Sequence, residues 1–163
     1  MPPFLIGKRV RGWEEAIVSE ENKSLIRRWV EEVVNARNLA LMDELVAPRY
    51  AFYVASRATP ADRESHKQLL TTFLGAFPDL RRNIEEMVGE GNKVVERWTD
   101  SGTHQGEFQG LAPTGKNISY AGITVWRIDD GQIVENRTVQ DFMGLMQQLG
   151  AERIPTQAPS QRL

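Results

Sequence analysis

Residues 118–141, ISYAGITVWRIDDGQIVENRTVQD, decide the fold. Ile118 to Ile128 alternates with the two-residue period of a strand, Asp130-Gly131 is a strong hairpin signal, and Ile133 to Asp141 returns as a second strand. The same period governs the stretch before it. Leu80 to Glu90 and Val94 to His104 read as strands joined by a Gly91-Asn92 turn. Gly106 to Lys116, with three glycines and a proline, reads as a loop, and Phe142 to Leu149 as a closing helical turn.

Upstream the period changes to that of helices. Ser19 followed by Glu20 and Glu21 predicts a capped helix start, and Leu25, Ile26, Trp29, Val30, Val33 and Val34 form its apolar stripe. A short second helix buries Leu39, Met42, Leu45 and Val46 and stops at Pro48; Tyr50 to Val54 is a short strand. A third helix runs from near Asp62 to Pro78 and buries Leu69, Leu70, Phe73, Leu74 and Phe77. Helices followed by hairpin-linked strands predict an α+β fold, with N-terminal helices packed on a curved antiparallel sheet around a pocket for a small, largely apolar molecule. The expected organisation is an arm at 1–18, one domain at 19–150 and a loose tail at 151–163. Phe4, Leu5, Ile6 and Trp13 give the arm something to pack, on its own domain or on a second subunit.

Composition removes several classes of function. The 163 residues carry 20 basic and 22 acidic side chains, so the net charge of −2 offers no basic field for nucleic acid or an anionic membrane. With no cysteine there is no disulfide, thiolate nucleophile or cysteine-bound metal. Two distant histidines, His66 and His104, make no zinc motif, so no metal site is expected. The start of the chain lacks the order of a signal peptide and no stretch is long enough to cross a bilayer, which leads to an expected cytoplasmic location. The glycines of the 106–116 loop have no phosphate-loop context and read as a rim over the pocket.

Four segments carry a resemblance: Phe77-Pro78-Asp79-Leu80-Arg81, Gly102 to Gly110 (GTHQGEFQG), Pro113-Thr114-Gly115-Lys116, and Asp141 to Gly150 (DFMGLMQQLG). In this order and spacing they resemble the SnoaL-like polyketide cyclases, within the nuclear-transport-factor-2-like fold, over residues 20–150. The resemblance implies a cone-shaped α+β barrel with a deep apolar pocket, usually dimeric, without metal or organic cofactor. It implies an acid/base role for Asp141 in intramolecular aldol ring closure, with His104 near the substrate. Relatives carry a histidine motif where this chain reads Tyr53-Val54-Ala55-Ser56, and a tryptophan where it has Arg137.

The residues themselves leave alternatives open. Arg137, Val139 and Asp141 share one strand face; a desolvated Asp141 would suit proton removal beside a carbonyl, whereas an exposed one would simply cap the last helix. An Arg137–Asp141 pair, with Asp100 as second acid, would suit epoxide-hydrolase-like water activation; an ion pair of Arg137 with Glu96 or Glu135 is the plain reading. His104 either holds a substrate oxygen, relays a proton or bonds to backbone, and His66 reads as exposed. Tyr53, like Tyr50 and Tyr120, is a donor for a developing enolate oxygen; Trp126, with Trp98, Phe73 and Phe77, either lines the pocket or packs the core. The expected function is a carbon-acid cyclase or isomerase acting on a polyketide- or terpenoid-like compound. The alternatives are the hydrolase and a non-catalytic small-molecule-binding homodimer.

Overall fold

Backbone chemistry at the turns sets up the sheet. Asp130 and Gly131 both take positive φ, 49° and 73°, the mirror-image turn whose twist matches antiparallel strands. It joins β4 (Asn117–Asp129) to β5 (Gln132–Gln140), and β2 (Arg81–Glu90) and β3 (Lys93–Thr103) form the preceding hairpin. A further strand, β1 (Val46–Val54), lies parallel to β5, so the five strands run in the order β1-β5-β4-β3-β2. In the computed structural model this sheet is curved but not closed, since β1 and β2 remain its edges. The structure describes residues 4–54 and 59–151, with side chains from residue 12 onward.

The helices cover the concave face. Helix α1 (Phe4–Arg28) runs into a wider π-helical stretch, Trp29–Asn35, which turns Trp29, Val30, Val33 and Val34 all inward. It is already helical at Phe4, upstream of the start expected at Ser19, since no proline interrupts Phe4–Arg28. The Ser19 hydroxyl instead sits against Gly89 on β2. A short turn, Leu39–Leu41, leads into α2 (Met42–Leu45), and β1 follows immediately, four residues earlier than the sequence suggests. Pro48 therefore lies in an edge strand, where its missing N–H is tolerated. Helix α3 (Arg63–Ala76) is capped by Asp62, whose carboxylate accepts the Ser65 N–H at 2.8 Å. Helix α4 (Phe142–Leu149) closes the end of the sheet with Leu145, Met146 and Leu149 buried. No helix among the described residues is long and apolar enough to cross a membrane. Of the expected tail only Ala151 lies within the described residues.

Candidate functional site in the cone interior

Strand pairing arranges the concave face in rows. Arg82, Asp100 and Tyr120 form one row across β2, β3 and β4. The next places Trp98 beside Gly122, where a Cβ would overlap the indole, so the glycine lets the ring lie flat across β4. A third holds Met87, Glu96, Thr124, Thr138 and Val54, and a fourth Val94, Trp126, Asn136 and Phe52.

These rows carry a polar network inside an apolar shell. Arg82 grips Asp100 through two bonds of 2.8 Å, Tyr120 donates to the same carboxylate at 3.1 Å, and the guanidinium lies 3.8 Å from the centre of the Trp98 ring. Asp100 is fully buried. Burial opposes the Arg82 charge, but the Asp100 carboxylate outweighs it and the guanidinium is held more firmly protonated than usual. Burial pushes the Tyr120 phenol well up, as it does Tyr50.

A second chain of bonds crosses the cone. Trp98 donates to Thr124 at 2.9 Å and Thr138 donates to Asn136 Oδ1 at 2.7 Å, so the 3.0 Å contact between the threonines must use the Thr124 proton. Asn136 also bonds Tyr50, whose hydroxyl lies 2.9 Å from Nδ1 of His66. Every donor then points the same way, and His66 ends the chain as the acceptor. His66 stacks on Phe52 at 3.9 Å and lies beside Trp29; burial first, then the Arg82 charge, brings its pKa down to about 3. The expectation that His66 is exposed is thus reversed. It continues the helical stripe of Leu70, Phe73 and Phe77, whereas Leu69, expected inside, is half exposed.

Glu96 is the least satisfied member. Its side chain is fully buried; Oε2 accepts the Trp126 indole N–H at 2.9 Å, and Oε1 has no partner among the described residues. Burial raises its pKa, against the opposing pull of Arg82 and the Trp126 bond. A carboxyl so placed keeps its proton more readily and, once ionised, is a stronger base than an ordinary glutamate.

The sequence-derived candidates divide between the two faces of the sheet. Trp126 is buried in the interior, edge-on to Trp29 at 5.5 Å. Arg137, Val139 and Asp141 do share a side, but it is the outer one, because the β5 residues turned inward are Asn136 and Thr138. Asp141 is exposed and caps α4, accepting the Gly144 N–H at 2.8 Å, so the desolvation expected of it is missing. Arg137, half exposed, bonds Glu135 at 2.7 Å and lies over the Tyr53 ring at 3.9 Å; no hydrogen bond or ion pair links it to Asp141 among the described residues. Tyr53 belongs to this outer row too and does not point into the cone. Ala55 and Ser56 lie outside the described residues.

His104 stands just beyond β3, fully buried, with its ring 5.4 Å from Phe77. The Thr114 backbone N–H donates to Nδ1 at 3.2 Å, which leaves the proton of the neutral ring on Nε2. Nε2 has no partner among the described residues. The loop after it is fixed by the N–H groups of Gln105 and Gly106, both donating to Ala76.

Arg82 and Glu96 are site residues beyond those expected from the sequence, and Asp100 faces inward with them. A signal for both acids was present: Glu96, Trp98 and Asp100 alternate in phase with buried Val94. Among the described residues no cluster of histidine and carboxylate groups has the spacing of a metal site.

Comparison with known proteins adds the context. The family model described as SnoaL-like polyketide cyclase matches residues 24–149. AclR from Streptomyces galilaeus, a candidate hydroxylase, superposes with a TM-score of 0.76 at 28% identity, covering 85% of this chain and 91% of its own. IdmH from Streptomyces antibioticus, a candidate polyketide cyclase, gives 0.72 at 29%, covering 79% and 98%. A SnoaL-like protein from Jannaschia gives 0.77 at 22%, covering 83% and 96%, a likeness of fold. Comparison with curated proteins returns no match.

Proposed function

Because the chain belongs to the SnoaL-like polyketide cyclase family, we propose that it is an enzyme moving a proton at a carbon beside a carbonyl in a small polyketide- or terpenoid-like molecule, closing a ring or shifting a double bond. The observation that carries this reading is Oε1 of Glu96, without a partner among the described residues, on a buried carboxyl whose pKa is raised. In the proposed step the ionised carboxylate takes the C–H proton and the bonding pair moves onto the carbonyl oxygen as an enolate. The enolate carbon attacks a second carbonyl, and Glu96 returns its proton to the new alkoxide. The fixed charge of Arg82 favours negative charge developing inside the cone. His104 stands eight residues farther along the chain, about 26 Å of extended strand, and is assigned to binding an oxygen of the ligand rather than to the reacting carbonyl.

The test is deuterium exchange into bicyclic aryl ketones such as α-tetralone, followed by NMR. Glu96→Gln should slow exchange by about 100-fold or more, and Asp141→Asn should stay within a few-fold of the parent. The opposite pattern would move the chemistry to Asp141, and a parent chain no faster than buffer would remove the reaction.

The Arg82–Asp100 pair favours a second reading. An acid–arginine pair lies in the interior beside Glu96, although not at Arg137 where it was expected. Glu96 would then activate water against an epoxide, and labelled oxygen from the solvent would appear in the diol. Support for a homodimer comes from the outer sheet face, where Val88, Val95, Ile123 and Val139 are exposed on neighbouring strands. A second copy covering this face would bury them, and Ile123→Lys with Val139→Lys should leave monomers.

A further inference from the structure

The loop between β3 and β4 carries one inward ring on an otherwise detached tip. Its two ends are clamped. Gln105 and Gly106 donate their N–H groups to Ala76, and Gly106 passes so close to Gly75 that a Cβ would collide with its carbonyl. On the return side the Thr114 N–H donates to His104 Nδ1 and the Gly115 N–H to the His104 carbonyl. Between the clamps, residues 107–113 bond only to one another among the described residues. Phe108 and Leu111 exchange two backbone bonds of 3.0 and 2.9 Å, and the Gly110 N–H reaches the Glu107 carboxylate at 2.7 Å. Within this segment Phe108 alone is buried; Leu111 is half-buried and the others are exposed.

Phe108 fills a box of aromatic side chains. Phe73, Phe77 and Phe142 cross its ring at 71°, 68° and 62°, with centres 5.4, 5.4 and 6.3 Å away, the edge-to-face arrangement aromatic rings prefer. Phe73 and Phe142 are only half-buried, so the box opens toward solvent. Phe77 also packs against the ring of His104, at the same 5.4 Å. The Nε2 proton of that fully buried histidine has no partner among the described residues. A phenyl ring offers such a proton no acceptor, whereas a ring bearing a carbonyl oxygen does. We infer that Phe108 holds the place of an aromatic ring of the ligand. The loop tip swings out between its clamps, a flat ring carrying an acceptor oxygen enters the box of Phe73, Phe77 and Phe142, and His104 Nε2–H donates to that oxygen. This site lies beyond the end of β3, far from Glu96. Placing its ring and the reacting carbonyl on one ligand rests on the proposed reaction; the ring site itself does not.

Chromone, a flat bicyclic ketone that cannot enolise, probes the box separately from proton transfer, with naphthalene as its oxygen-free counterpart. A wall residue and a stand-in give opposite signs. Phe73→Ala removes a wall and should weaken chromone binding in calorimetric titration. Phe108→Ala removes a competitor and should tighten it by about five-fold or more. His104→Leu should lower the ratio of chromone to naphthalene affinity by about five-fold or more, and His104→Gln, which keeps a donor, should retain most of it. Because Phe108→Ala also deletes a buried side chain, a second measurement leaves the phenyl in place. The chain has no cysteine, so Ala112→Cys, exposed on the tip, takes a single nitroxide label whose spectrum should narrow as chromone saturates. Weaker binding to a folded Phe108→Ala, a label spectrum that chromone leaves unchanged, or an affinity ratio unmoved by His104→Leu would each overturn the proposal. Deuterium exchange through Glu96 in a protein giving any of those results would leave the proposed reaction standing without this subsite.

Discussion

Acidification should unfold this protein largely through one imidazole. His66 lies between Phe52 and Trp29, with a pKa of about 3 in place of 6.5. An unfolded chain binds a proton at this residue as the pH falls through 6.5, while the native state does not until about 3. Its neutral burial therefore costs nothing above 6.5, and stability is lost progressively as pH falls through the window. Each pH unit removes about 1.4 kcal/mol, reaching about 5 kcal/mol near pH 3, comparable with the whole stability of many domains. Urea titrations at pH 7, 6, 5 and 4, followed by fluorescence of the buried tryptophans, measure the slope. His66→Phe preserves the stacked shape but removes the titration. It should be less stable at pH 7 by about 1–2 kcal/mol, since Tyr50 loses a partner, yet its stability should fall less steeply between pH 6 and 4. Parallel slopes in the two proteins, or an imidazole titrating near 6.5 by NMR, would refute the reasoning.

Two further perturbations probe the interior. Arg82→Met strands the buried Asp100 carboxylate with Tyr120 alone and should cost about 3–5 kcal/mol, whereas adding Asp100→Leu should recover much of it; urea midpoints report both. Gly122→Ala would place a methyl in the Trp98 ring and should cost about 1–3 kcal/mol, with a shift in the near-ultraviolet dichroism of tryptophan.

The sheet was legible because period-two alternation runs long within each of three stretches, Val94 to His104, Ile118 to Ile128 and Ile133 to Val139, and because Asp130-Gly131 permits essentially one turn. The helices were legible as stripes, but the start of α1 was not: a serine before two glutamates looks like a cap whether or not the helix has already begun. β1 was read as shorter than it is because a proline reads as a stop, although an edge strand tolerates it. The site was harder. Periodicity shows that Arg137 and Asp141 share a face but not which face; both stand an odd number of residues from the inward Asn136 and Thr138, which puts both outside. Charge misled in the same way. Arg82, Glu96, Asp100 and His66 look like surface residues singly, and only their phase with neighbouring apolar positions marks them as inward. The bonds that make their burial tolerable join five separate elements and leave no trace in local sequence.

The parallel pairing of β1 with β5 has a consequence for how the chain is assembled. Val46 meets Ile133, and β1 has no other strand neighbour among the described residues, only a single bridge from Phe52 to Ala61. Through nearly ninety residues of synthesis, an aromatic, β-branched segment therefore emerges with its template not yet made. The hairpins β2–β3 and β4–β5 connect near neighbours and can zip early, whereas this last ladder must wait for the loop between its ends to close. Final consolidation of the fold belongs to the oldest strand meeting the youngest, and until then the edge of β1 is the part of the nascent protein most open to the wrong partner.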